Sequence, residues 1–252
     1  MIALSSHGKS LDVPLSSEWR STSRSHVGSV RAINEDRVFD CPDRKIWAVV
    51  DGMGGHEGGD VAAQTVVDHL RALSTQSSQI GLAPLLAALT EANAAIVARN
   101  ATLGLNSGAT LVAAAIDQQM VQIAWAGDSR AYLVRAGNVI RLTRDHSFVQ
   151  ELVDAGLLTA QAADHHPQSN VVTRALGVHD LPGVETICVA PRRGDRILLC
   201  SDGLSRSLAK DELSAAVPIG TLAASLLANA LYRDGSDNVS LVLLEHDCND
   251  AA

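Results

Sequence analysis

Aromatic side chains are scarce in this 252-residue sequence: Phe, Trp and Tyr together supply 3%, and acids outnumber bases to a net charge of −8. A nucleic-acid surface is built from basic patches and stacking platforms, so both features argue against one. The four cysteines, Cys41, Cys188, Cys200 and Cys248, have no paired spacing. The opening stretch MIALSSHGKSLDVPLSSEWRSTSR has neither the basic start nor the apolar core of a signal peptide. The thiols are therefore expected to be reduced and the protein cytoplasmic. No CxxC, HxxxH or HExxH spacing occurs, which argues against the usual zinc sites. No uninterrupted apolar run approaches the roughly 18 residues of a membrane span, so no membrane association is expected.

What the chain does have is apolar content enough for a sizeable core, 46%. Runs of strand length recur at 46–51, 109–117, 121–128, 130–137, 138–142, 185–190, 195–202 and 238–246. Short links such as Gly127-Asp128-Ser129 and Ala136-Gly137-Asn138 imply hairpins and antiparallel sheets, not parallel crossovers. Between them lie helical stripes. Ala62, Val66, Leu70 and Leu73 follow Asp60, which reads as an N-cap; Leu85, Leu89, Ala92 and Ile96 form a second stripe; Leu222, Leu226, Leu227, Ala230 and Leu231 form a third. This pattern places helical layers outside packed sheets.

No linker composition divides the chain. Residues 1–20 read as a flexible polar lead-in, and 21–248 as one domain, expected to be a monomer. Residues 143–181 depart from the pattern: a short amphipathic helix at 147–155, then polar residues and His165-His166-Pro167. They read as a flap-like insertion over one end of the sheets, either a lid or an inert surface excursion.

The chemistry gathers where strands stop. In VVDGMGGHEGGD (49–60) an apolar run ends at Asp51, and Gly52 opens a glycine-rich segment containing His56. Asp128 follows IAWAG, Asp202 follows ILLCS, and Asp237 opens NVSLVLLE; Glu35 and Asp36 add a further acidic point. One such aspartate is commonly a turn residue. Several converging on one sheet edge would repel unless a cation joined them. An all-oxygen set favours Mg²⁺ or Mn²⁺. Arg31, four residues before Glu35, is either a surface ion-pair partner or a phosphate holder. Cys200-Ser-Asp-Gly-Leu-Ser-Arg206 matches the C-x₅-R spacing of cysteine-dependent phosphatases, but Asp202 would put negative charge in that anion cradle. Cys200 also continues an apolar strand, where a thiol is inert.

These segments together resemble the metal-dependent protein phosphatase 2C family in its compact bacterial form. The matching stretches are SHVGSVRAINEDRVF (25–39), WAVVDGMGGHEGGDVAA (47–63), SGATLVAAAI (107–116), AWAGDSRAYLVRAG (124–137), LTRDHS (142–147), NVVTRALG (170–177), DRILLCSDGL (195–204) and DGSDNVSLVLL (234–244). The resemblance implies an α+β fold, a four-layer α-β-β-α sandwich of two antiparallel sheets flanked by helices. It implies hydrolysis of phosphoserine and phosphothreonine in proteins, with a hydroxide bridging two Mn²⁺ or Mg²⁺ ions as nucleophile. Asp51 would bridge both ions and the Gly52 carbonyl would bind the second. Asp202 and Asp237 would complete the first, and Asp128 with Asp202 would hold a third. Glu35 and Asp36 would act near the second through water, and Arg31 would grip the phosphate. The natural partners would be phosphoproteins made by a bacterial serine/threonine kinase. Two departures stand out. Met53 occupies the place of a histidine common in eukaryotic members, and Ala109 a slot often filled by threonine.

Two other readings compete: a phosphoprotein-binding member of the same fold without catalysis, and a phosphatase for a small molecule or a single regulator. Intact Asp51, Asp202 and Asp237 argue against the first. His56 is the candidate general acid. If so, His56→Ala should lose more activity on a phosphoserine peptide than on an aryl phosphate, whose leaving group needs little protonation. Equal losses on both would count against that role.

Overall fold

The structure is a computed structural model describing residues 17–54, 58–76, 80–163 and 165–248. These form ten strands: β1 (Ser17–His26), β2 (Arg37–Cys41), β3 (Ile46–Met53), β4 (Gly108–Asp117), β5 (Met120–Ala126), β6 (Arg130–Arg135), β7 (Asn138–Arg141), β8 (Glu185–Val189), β9 (Arg196–Cys200) and β10 (Val239–Cys248). They make two five-stranded sheets, ordered β1-β10-β9-β6-β7 and β2-β3-β4-β5-β8, with every pairing antiparallel. Helices α1 (Gly59–Gln76) and α2 (Leu82–Leu103) cover the second sheet, and α7 (Ile219–Arg233) covers the first. Short helices α3 (Phe148–Asp154), α4 (Ala160–Ala163), α5 (Asp202–Ser205) and α6 (Lys210–Leu213) sit in the connections. This is the expected α-β-β-α sandwich.

Strand alternation builds three apolar layers from single strands. In β3, Ile46, Ala48 and Val50 face α1 and α2, while Trp47 and Val49 face the opposite sheet. All five are fully buried because both faces of β3 are covered, which is why the run reads as continuously apolar. β10 repeats the device: Leu241 and Leu243 meet Leu222 and Leu226 of α7, and Val242 and Leu244 enter the layer between the sheets. α2 is long and apolar enough to cross a membrane, with mean hydropathy 1.3 over an 18-residue window. Here it lays Leu85, Leu89, Ala92 and Ile96 into the layer shared with α1 and the second sheet.

Five sequence expectations need correction or refinement. The Gly127-Asp128-Ser129 link does not close a hairpin, because β5 and β6 lie in different sheets. The lead-in at 1–20 overlaps β1, which begins at Ser17 and pairs along its length with β10. β2 was also not anticipated. β1 is an edge strand whose large apolar contribution is Trp19, stacked on His246 at 4.7 Å between ring centroids, so its sequence reads as polar. Asp60 lies inside the first turn of α1, not at its cap; an acid there is stabilised by the helix dipole. The 143–181 segment carries α3 where a helix was expected, but it is not purely a surface excursion. Leu176 is fully buried beside α2 and pairs with Ala109 through two backbone hydrogen bonds of 2.9 and 3.0 Å.

Trp47 fills the layer between the sheets. Trp47→Ala is expected to lower unfolding free energy by about 3–5 kcal/mol, read from denaturant midpoints at unchanged slope. A loss below about 1 kcal/mol would contradict a close-packed seam.

Candidate active site

At one end of the seam between the sheets, the inward-facing positions change from apolar to polar together. Trp47 and Val49 lead to Asp51 on β3; Ala114 and Val112 lead to Thr110 on β4. Ile197 and Leu199 lead to Ser201 just past β9; Leu244 and Val242 lead to Ser240 on β10. Side chains alternate along a strand, so each polar residue continues the row that faces the opposite sheet. Asp36, two residues before Val38, joins the same row: Ser201 Oγ donates to its Oδ2 at 2.9 Å. Thr110 Oγ1 and Ser129 Oγ meet at 2.9 Å across the cluster.

The predicted acids come together here. Asp36 and Asp128 are buried, at 2% and 9% exposure, whereas Asp51 and Asp202 keep a partly exposed edge. Burial pushes the Asp36 and Asp128 carboxyls up to about 7, with Asp202 adding repulsion in both cases. Asp51 is held well above the ordinary carboxylate range by burial and by Asp36, Asp202, Asp128 and Asp237. Burial also raises Asp202, with Arg206 opposing and Asp237 reinforcing the shift. Glu35 is raised by burial and by Asp60.

Two arginines face this negative charge. Arg31 Nη2 lies 2.9 Å from Asp237 Oδ2, with the arginine side chain half exposed. Arg206, four residues after Asp202 on the same turn of chain, pairs with the Asp202 carboxylate. Behind them Arg130 grips Asp145 through Nε at 3.2 Å and Nη2 at 2.7 Å, and its charge reaches Asp202.

The backbone around the site is packed too tightly for side chains. A Cβ on Gly52 would fall on the Gly59 carbonyl and within 2.9 Å of the Glu35 carbonyl oxygen. Gly52 is thus required by close approach of three segments and not by a left-handed turn. Asn238 holds one of those segments. Its Oδ1 accepts the Glu35 N–H at 2.8 Å, and its Nδ2 donates to the Val27 and Ile33 carbonyls at 2.8 and 3.0 Å. The loop bearing Arg31 is thereby fixed to the start of β10. Asn238 and Arg130 carry no signal in the sequence, and Arg206, which the sequence offers only as the arginine of a C-x₅-R match, pairs instead with Asp202. Asn238 follows Asp237 directly, yet its partners lie some two hundred positions away.

The residues fit a hard divalent cation. Asp202 Oδ1 and Asp36 Oδ1 are buried with no hydrogen-bond partner among the described residues. Like-charged oxygens in that state call for a cation. Among the described residues no three acid, thiol or imidazole side chains close around one point; Asp202 and Asp237 are instead turned toward Arg206 and Arg31. His56 lies outside the described residues. The rival thiol reading fails on chemistry: Cys200 is fully buried beneath α7, and burial pushes its thiol up to about 12. Beside the Gly52 end, a cleft of about 370 Å³ is lined by Met53, Gly54, Ser107, Arg174, Val178 and His179, among others.

The raised carboxyls make stability depend on pH. With folded values of about 7 for Asp36 and Asp128, the folded chain binds protons more tightly than the unfolded chain, whose carboxyls titrate near 4. Their contribution is fully present below about pH 4 and is lost as pH rises through about 7. In EDTA the thermal midpoint should therefore fall between about pH 5.5 and about pH 7.5, and Mn²⁺ should suppress that fall by favouring the ionised carboxylates. Parallel curves with and without Mn²⁺ would contradict this account of the cluster.

Known proteins share both sequence and architecture. A profile of the protein phosphatase 2C family matches residues 10–152. The chain is 39% identical over 232 residues to the serine/threonine protein phosphatase PstP of Mycobacterium tuberculosis, covering 90% of this chain and 45% of that protein. It thus spans about half the length of that relative. Against the serine/threonine phosphatase stp of Listeria monocytogenes the identity is 36%, covering 89% of this chain and 94% of the relative. A solved structure of the catalytic domain of PstP, in complex with two manganese ions, superposes with a TM-score of 0.79 at 36% identity, over 91% of this chain and 98% of that one. The chain belongs to the protein phosphatase 2C family.

Proposed function

We propose that this protein is a Mn²⁺- or Mg²⁺-dependent serine/threonine protein phosphatase. The observation that carries the proposal is the gathering of Asp36, Asp51, Asp128, Asp202 and Asp237 at the polar end of the seam, with Arg31 at its edge. Relatives named as serine/threonine phosphatases, one of them solved with two manganese ions, support it. In this reading Asp51, the Gly52 carbonyl, Asp202 and Asp237 hold two ions. Asp128 with Asp202 takes a third, and Glu35 and Asp36 act through water. The chemistry such ions supply when bound is Lewis acidity, which brings the pKa of water near neutrality.

The chain's own residues do the rest. Arg31 keeps one guanidinium edge on Asp237 and offers the remainder to a phosphoryl group, which matches its fork geometry. Asn238 keeps the Arg31 loop from drifting, which preserves alignment. The Met53–His179 cleft offers room for residues flanking the phosphorylated side chain. The substrates in this reading are proteins phosphorylated by a bacterial serine/threonine kinase, met in the cytoplasm by a monomer. His56 is its proton donor.

Hydrolysis of a phosphothreonine peptide and of an aryl phosphate should require Mn²⁺ or Mg²⁺ and stop in EDTA. Asp202→Asn, which removes one ligand charge, should cut turnover by about a hundredfold or more at fixed Mn²⁺. A folded wild-type preparation without metal-dependent turnover, or near-normal turnover by Asp202→Asn, would refute the proposal.

A further inference from the structure

The Gly127-Asp128-Ser129 link crosses from β5 in one sheet to β6 in the other and carries Asp128 into the carboxylate cluster. It is not a self-supporting turn. Gly127 has φ +106°, and a Cβ there would strike the Thr110 side chain. The link is held instead by one residue far along the chain. The His146 N–H donates to the Gly127 carbonyl at 3.0 Å, and the Gly127 N–H donates back to His146 Nδ1 at 3.1 Å.

The same histidine reaches two other parts of the molecule. Its carbonyl accepts the Thr173 N–H at 2.8 Å, in the segment that carries Arg174 into the cleft. Its ring stacks on Trp125 of β5 at 6.2 Å, with planes 20° apart. Its Nε2 is 3.3 Å from Glu185 Oε1 but off the alignment of a hydrogen bond, and has no other partner among the described residues. The contact that meets hydrogen-bond geometry is therefore at Nδ1. Burial lowers the imidazole pKa, with Arg174 adding to the effect and Glu185 opposing it. The ring is consequently neutral near neutral pH, with Nδ1 free to accept.

We propose that His146 is a positioning residue for the metal site: Nδ1 fixes the Gly127 amide and hence the Asp128 carboxylate, while its backbone ties that link to the segment at 171–174. The inference rests on the reading of Asp128 as a metal ligand. Partners of this kind act through the ligand they orient, and their loss costs about 10–100-fold in metal affinity. Nothing in the spacing of LTRDHS reveals this role, because the partner amide lies nineteen positions away.

The test exploits the two nitrogens separately. An asparagine amide oxygen can stand where Nδ1 stands, whereas a glutamine reaches the Nε2 position and leaves the Gly127 amide unpaired. Calorimetric Mn²⁺ titration of Asp128→Asn first identifies the binding step that Asp128 supports. For that step His146→Asn should stay within about threefold of wild type, and His146→Gln should weaken by about tenfold or more. Equal affinities in the two variants, whether normal or reduced, would overturn the proposal, since packing alone does not distinguish them. Glu185→Gln, at a half-exposed position, tests the other face of the ring without disturbing the interior. It should leave Mn²⁺ affinity unchanged, and a loss of about tenfold there would overturn the assignment to Nδ1. If Asp128→Asn removes no step, the ligand reading fails and the inference with it. If it removes one while the His146 pair behaves alike, only the inference fails.

Discussion

Burial of several carboxyls beside one another is the constraint around which this molecule is arranged. Asp36, Asp51, Asp128 and Asp202 each carry a raised pKa, and each is raised first by burial and then by its acidic neighbours. Such a cluster is unstable as a set of free anions. It persists because strong apolar packing on either side holds the strands that deliver it. The same strands that place Trp47, Val112, Leu199 and Val242 in the seam place Asp51, Thr110, Ser201 and Ser240 at its end. The core and the site are thus successive positions on one alternating row, and the stability of the first sustains the strain of the second.

The charge is managed in tiers. Hydroxyls of Ser201 and Thr110 supply local hydrogen bonds inside the seam. Arg206 and Arg31 meet Asp202 and Asp237 at its rim, while Arg130, held by Asp145, presents a fixed positive charge from behind. None of these neutralises the orphaned oxygens of Asp36 and Asp202. The remaining demand suits a hard divalent cation, and that demand links the fold to phosphoryl chemistry. Arg31 offsets Asp237 at the rim and keeps its side chain half exposed. The loops that carry these groups are tied by single residues from distant segments, Asn238 for the Arg31 loop and His146 for the Asp128 link.

Much of this was legible in the sequence, for a physical reason. Strands covered on both faces must be apolar throughout, so β3, β4, β9 and β10 announce themselves, and an acid that ends such a run is conspicuous. That logic located Asp51, Asp128, Asp202 and Asp237 at the strand ends that the structure brings together. It failed where a strand is covered weakly. β1 relies on Trp19 and its pairing with β10, and β2 is a short edge strand, so neither has a strong pattern. It also failed where a residue's work is done by partners remote in sequence. Asn238, Arg130 and His146 look like ordinary polar residues until the fold brings Val27, Asp145 and Gly127 to them. The glycine-rich pattern around Gly52 does not reveal the actual demand there, the close approach of the Gly59 and Glu35 backbones.

If these carboxylates share their charge with divalent cations, an entering ion must displace protons. Proton release on Mn²⁺ binding measures that directly. Titrations near pH 6.5, in buffers of differing ionisation enthalpy, count the protons that leave as the ion enters. Because Asp36 and Asp128 are held near 7 by burial, the account expects net proton release at that pH, declining as the pH approaches about 8.5. Saturable Mn²⁺ binding with no proton release across that range would contradict it, as would the absence of binding.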